Sequence, residues 1–123
     1  LLTNINFDHL LNFHLSNHGE ATMCVREFDF QVPYGVVNIE DGKVKDIDEK
    51  PTHKFFVSAG IYVLNPLCID IIPKNKHYDM PSLFEKMIEN NDRVISFPLH
   101  EYWLDIGQID EYNRANKEYD ENF

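Results

Sequence analysis

The dipeptide Asp41-Gly42 constrains this chain more than any other feature. It lies between two alternating runs, Tyr34-Gly35-Val36-Val37-Asn38-Ile39 and Lys43-Val44-Lys45-Asp46-Ile47. A two-residue hairpin loop needs positive φ at both central positions to continue the twist of its strands, and Asp-Gly meets that need. The pattern therefore predicts a β-hairpin with Glu40-Asp41-Gly42 as its turn. Gly35 should weaken its strand unless a ligand approaches the backbone there; a β-bulge explains it as well.

Around this hairpin the periodicity alternates between helix and strand. Leu1 to Ile5 reads as the tail of a strand or a loop leaving one. Asn6 can cap a helix in which Phe7, Leu10, Leu11, His14 and Leu15 recur at helical spacing, with Asn17-His18-Gly19 as its stop. Ala21 to Arg26 reads as a buried strand ending before the polar residues that follow Phe28. A helix feeding an apolar strand is half of a βαβ unit, which predicts a parallel neighbour just before Leu1. Thr52 to Phe55 reads as a loop, Val57 to Leu64 as a long strand, and Pro66 to Ile71 as a short helical turn. Asp79 and Pro81 open a helix over Met80 to Ile88 with Leu83, Phe84, Met87 and Ile88 as its core stripe. Val94 to Pro98 is a strand, Tyr102 to Leu104 continues the sheet, and Ile109 to Tyr119 is the last helix, beyond which the acidic tail frays.

Composition narrows the class. A chain of 123 residues with 43% hydrophobic and 13% aromatic residues can build a core. A formal net charge of −10 argues against a nucleic-acid partner, which needs a basic face. It leaves phosphorylated small molecules open, because a metal ion and a few donors can reverse the sign locally. Cys24 and Cys68 lack CxxC spacing and sit in apolar runs, as reduced core thiols do. With no membrane-length apolar run and no basic-then-apolar N-terminus, a soluble cytoplasmic chain is expected. The opening Leu1-Leu2-Thr3 without an initiator Met suggests a piece of something longer.

Two stretches can carry chemistry. Tyr102-Trp103-Leu104-Asp105-Ile106-Gly107 puts a carboxylate at a strand end ahead of a helix, where α/β proteins place their sites. One carboxylate suits Mg²⁺, which fills its remaining positions with water and substrate phosphates; a helix cap by Asp105, with Trp103 as core, is the plainer alternative. In Asp48-Glu49-Lys50-Pro51, Pro51 should hold Lys50 extended. The Lys50 ammonium suits a phosphate and the Glu49 carboxylate suits sugar hydroxyls, although a solvated charged turn accounts for both. The small residues Ser58-Ala59-Gly60 let a ligand approach the backbone, as would close strand packing. His14 and His18 could chelate a metal, but without a third ligand they read as solvated or capping side chains.

The order of motifs resembles the C-terminal half of the sugar-phosphate nucleotidyltransferases. It runs Tyr34-Gly35-Val36-Val37, Gly42-x-Val44, Glu49-Lys50-Pro51, Ser58-Ala59-Gly60-Ile61-Tyr62, Asp79-Met80-Pro81, then Trp103-Leu104-Asp105-Ile106-Gly107. The resemblance covers the chain to about Tyr119. It implies an α/β fold: the C-terminal part of a Rossmann-like three-layer α/β/α domain with a mixed sheet, residues 1–123 forming its sugar-phosphate-binding portion. It further implies that Asp105 ligates catalytic Mg²⁺, Lys50 grips the sugar phosphate and Glu49 accepts from the sugar ring. Gly35, Ser58, Ala59, Gly60 and Trp103 would line the same pocket, although many relatives have Asn in place of Ser58. The reaction implied joins a nucleoside triphosphate to a sugar 1-phosphate and releases pyrophosphate, with GTP and a mannose-like or amino-sugar 1-phosphate as the expected pair.

The glycine-rich triphosphate loop and the Gly-Asp metal-ligand pair of that family are not found in these residues. The chain alone is therefore expected to be inactive, with a homodimer through exposed edges as a possible assembly. A non-catalytic regulatory or sugar-phosphate-binding module is the alternative expectation.

Overall fold

The computed structural model describes residues 1–123, which form two compact units: Leu1–Arg26 with Ser58–Phe123, and Glu27–Val57. The strands are β1 (Leu2–Thr3), β2 (Ala21–Gln31), β3 (Val36–Glu40), β4 (Lys43–Asp48), β5 (Thr52–Leu64), β6 (Val94–Pro98) and β7 (Trp103–Leu104). The helices are α1 (Phe7–Ser16), α2 (Met80–Glu89) and α3 (Ile109–Asn122), with a 3-10 turn at Pro66–Ile71. β2 and β5 each contribute residues to both units.

The larger unit is built on a sheet of order β5-β2-β6, in which β2 and β6 run parallel with Ala21 opposite Val94. Strand alternation sends successive side chains to opposite faces. Cys24, Ala59, Ile61, Val63 and Phe97 accordingly pack with Leu10 of α1. Ala21, Met23, Tyr62, Leu64 and Val94 pack with Leu83, Phe84 and Met87 of α2. Helices on both faces of a sheet with parallel strands make an α/β architecture. Leu83 and Met87 are fully buried, and burying side chains of that size contributes about 1.5–3 kcal/mol each.

Asn6 caps α1 by accepting the His9 N–H at 3.1 Å, and Asp79 caps α2 by accepting the Ser82 N–H at 2.9 Å, as the sequence predicted. His14 departs from expectation. It is buried rather than solvated, with Nδ1 2.6 Å from Thr22 Oγ1 and Nε2 2.8 Å from Asn65 Oδ1. The amide oxygen can only accept, so Nε2 donates to Asn65. Gly19 makes room for this arrangement. A Cβ there would lie 2.8 Å from Ile95 Cδ1 and 3.1 Å from His14 Nδ1.

Other boundaries moved. Within the chain β2 finds a parallel neighbour in β6; the strand expected before Leu1 lies outside the described residues. Trp103–Leu104 does not extend that sheet; it pairs antiparallel with β1, Leu2 opposite Leu104. The C-terminal tail does not fray but stays helical to Asn122. Tyr102 Oη donates to Glu118 at 2.5 Å, Asn4 Nδ2 donates to the Asn122 carbonyl at 2.7 Å, and the Phe123 ring stacks on Tyr119.

The smaller unit holds the hairpin. Val37 faces Ile47 and Ile39 faces Val44, across a turn with φ of +50° at Asp41 and +75° at Gly42. Both values are those of the expected loop type. The register shift falls at Asn38/Ile39, and Gly35 precedes the strand, so Gly35 is not a bulge residue. The expected loop over Thr52–Phe55 is strand, and β2 continues to Gln31 rather than stopping near Phe28.

Candidate functional site

In the larger unit, the short strand β7 presents the C-terminal motif. Thr3 Oγ1 and the Asn4 N–H both donate to the Tyr102 carbonyl, at 2.7 and 3.1 Å, and fix the strand from one side. On the other side Trp103 Nε1 donates to the Ala59 carbonyl at 2.9 Å. That bond draws the motif strand against Ser58-Ala59-Gly60 of β5. Gly60 adopts φ +74°, a conformation other residues rarely take, and its N–H donates to Ser58 Oγ at 3.3 Å. Ser58 Oγ and Tyr62 Oη are 3.2 Å apart.

These contacts border an open cavity of about 380 Å³ lined by Leu1, Ser58, Ala59, Gly60, Tyr62, Trp103 and Asp105. Five residues predicted from sequence thus meet in one place. The cap of α3 explains why Asp105 is available. The plainer expectation, a cap by Asp105, is not what is found. Gln108 is the cap residue, and Glu111 accepts the N–H groups of Gly107 and Gln108, both at 2.9 Å. The Asp105 carboxylate is left exposed on the cavity wall.

The lining carries one carboxylate, two hydroxyls and no cationic side chain. Hydroxyls and backbone groups suit sugar hydroxyls, whereas a phosphate could rest beside Asp105 only through a cation. Mg²⁺ fits a lone carboxylate of this kind, because it keeps water and takes substrate phosphate oxygens as its other ligands. The chain gathers no group of three or more His, Cys, Asp or Glu side chains able to hold a metal unaided.

In the smaller unit, Gly35 and Glu49 come together. A Cβ on Gly35 would lie 3.3 Å from Glu49 Oε2 and 3.7 Å from Ile47 Cγ2. The close approach at Gly35 is therefore to a carboxylate of the chain itself. Lys50 is not extended, as its place before Pro51 led us to expect, but left-handed with φ +45°. Pro51 disfavours the right-handed helical region for Lys50. The chain must still turn back so that the Lys50 carbonyl accepts from Gln31 Nε2 at 3.3 Å and the Pro51 carbonyl from the Val32 N–H at 3.0 Å.

A second cavity, about 460 Å³, is lined by Glu20, Asn65, Leu67, Cys68, Ile71 and Asp92 and holds none of the predicted site residues. Burial raises the Cys68 thiol pKa, and burial with the nearby Glu101 carboxylate raises that of Cys24 to about 11. Both cysteines are free and buried, and thiols so placed are poor nucleophiles. Sequence reasoning missed Tyr62 as a lining residue and Glu111 as the cap partner. The first lies four residues after Ser58 and the second three after Gln108, so strand alternation and the capping-box spacing could have signalled them.

A family profile described as "Nucleotidyl transferase" matches residues 1–122. The chain belongs to that family. It is 33% identical over 114 residues to "Probable mannose-1-phosphate guanylyltransferase 3" of Arabidopsis thaliana, covering 89% of this chain and 34% of the relative. It is 36% identical over 109 residues to the mannose-1-phosphate guanyltransferase of Pichia angusta, covering 80% and 28%. The chain thus spans about a third of the length of these curated relatives. Among solved structures, HddC from Yersinia pseudotuberculosis superposes with a TM-score of 0.61 at 20% identity, over 95% of this chain and 51% of that one, a likeness of fold. No helix is long and apolar enough to cross a membrane.

Proposed function

We propose that this chain supplies the sugar-phosphate part of an active site that transfers a nucleotidyl group from a nucleoside triphosphate to a sugar 1-phosphate. The observation that carries the reading is the Asp105 carboxylate, uncommitted to the α3 cap and facing the hydroxyl-lined cavity beside Ser58-Ala59-Gly60. In this reading Ser58, Tyr62 and the Ala59–Gly60 backbone orient the sugar, and Trp103 forms a wall that excludes water. In the smaller unit, taken by itself, the Glu49 carboxylate beside Gly35 is suited to accept hydrogen bonds from sugar hydroxyls, and the Lys50 ammonium to neutralise a phosphate. Mg²⁺ held by Asp105 would supply charge neutralisation at phosphate oxygens. An oxygen of the sugar phosphate attacks the α-phosphorus of the nucleoside triphosphate and pyrophosphate leaves. Such a transfer rests on positioning and charge stabilisation more than on covalent help from the protein.

GTP and mannose 1-phosphate are the proposed pair, with an amino-sugar 1-phosphate as the next candidate; the names of the relatives support the choice. The chain by itself does not turn over, and it acts in the cytoplasm without a nucleic-acid partner, in keeping with its net charge of −10. Phe7, Leu11 and Leu15 form an exposed stripe on α1, a face suited to a homodimer contact. Titration calorimetry of the chain with mannose 1-phosphate, with and without Mg²⁺, tests the site. Binding that Mg²⁺ strengthens in the native chain but not in Asp105→Asn supports the reading. Binding indifferent to Mg²⁺, Asp105 and Lys50 would instead favour a non-catalytic module.

A further inference from the structure

We infer that Arg26 is a positioning residue that sets Asp105 and the Ala59–Gly60 backbone in register; the inference rests on the proposed sugar-phosphate site. β7 has two residues and pairs only with the two-residue β1. A ladder that short supplies few backbone bonds, so side-chain contacts add to the fixing of Asp105.

Arg26 grips the segment at two points. Its Nη1 donates to the Glu101 carbonyl at 3.1 Å, and its guanidinium lies over the Trp103 ring, 5.7 Å from the centroid. Those points flank Tyr102 and lie just ahead of Asp105 in the chain. Nε1 of the same indole donates to the Ala59 carbonyl at 2.9 Å. A continuous series of contacts therefore runs from Arg26 through Trp103 to the left-handed Gly60 and the cavity wall. Arg26 takes part in none of the ion pairs of the chain, so its charge and planar face remain free for this contact. A guanidinium can stack on an aromatic face while one N–H donates to a carbonyl; an ammonium lacks the planar fork.

Trp103 is the single tryptophan, which makes its fluorescence a reporter of this one place. The test compares Arg26→Met and Arg26→Lys with the native chain by acrylamide quenching of Trp103 emission and by titration with mannose 1-phosphate and Mg²⁺. Circular dichroism monitors the fold. Arg26→Met should increase quenching and weaken mannose 1-phosphate binding roughly fivefold, the scale of losing a partly desolvated cation–π contact. Arg26→Lys should recover part of both effects and provides the comparison if Arg26→Met does not fold. Native quenching and native affinity in the folded variant would overturn the inference. If the native chain binds no mannose 1-phosphate, the proposed function fails, and unchanged quenching would separately refute the contact between Arg26 and Trp103.

Discussion

Glu111 Oε2 accepts the Gly107 N–H at 2.9 Å, from the first turn of α3 back across the bend that follows Asp105. One carboxylate thereby does the capping and leaves the other free. Glu111→Ala should destabilise the fold by about 1 kcal/mol, the usual cost of a lost cap. It should also weaken the effect of Mg²⁺ on mannose 1-phosphate binding, as Asp105 becomes the remaining acceptor near those N–H groups. Urea unfolding and calorimetry measure the two effects separately.

His14 joins α1 to β2 and to the end of β5 through Thr22 and Asn65. His14→Ala would leave a cavity and strand the buried Thr22 hydroxyl and the half-buried Asn65 amide, at an expected cost of about 2–4 kcal/mol. The urea midpoint should fall with little change in slope. A loss below half a kcal/mol would mean that these bonds contribute little to stability.

Gly35→Ala places a methyl 3.3 Å from Glu49 Oε2, the end of a flexible side chain. The hairpin should survive with a stability change within about 0.5 kcal/mol. Mannose 1-phosphate affinity should nevertheless fall several-fold, because Glu49 must turn aside. Equal affinity would remove Glu49 from the proposed site.

Asp79 has its pKa lowered by hydrogen bonds from Ser82 at the start of α2. A depressed folded value means that this stabilisation is present above the unfolded pKa of about 4 and is lost as pH falls through the lower folded value. Asp79→Asn keeps an acceptor but cannot titrate, so its melting temperature should decline less steeply below pH 4 than that of the native chain. Parallel declines would show that the Asp79 cap adds nothing to acid sensitivity.

Local chemistry made parts of this fold legible and long-range contacts hid the rest. Asp41-Gly42, Asn6 and Asp79-Met80-Pro81 specify their turns and caps through neighbouring residues, and each was read correctly. Thr52-His53-Lys54-Phe55 reads as a loop because none of these side chains is buried, so no apolar periodicity marks a strand. The tail is held by Tyr102, Asn4 and Phe123, contacts that sequence distance conceals. His14 was misjudged because its partners, Thr22 and Asn65, lie in different strands or loops. At the site, Asp105, Trp103 and Ser58-Ala59-Gly60 were legible as motifs. The bond between Trp103 and Ala59, and the cap that spares Asp105, needed the fold.

The most direct test of the nucleotidyl-transfer proposal is pyrophosphate release from GTP and mannose 1-phosphate in Mg²⁺, by the full-length protein that carries these residues, in native and Asp105→Asn forms. The account predicts release by the native protein, a loss on the order of a hundredfold or more in the variant, and none from residues 1–123 alone. Release undiminished by Asp105→Asn, or native-rate turnover by the 123 residues alone, would contradict it.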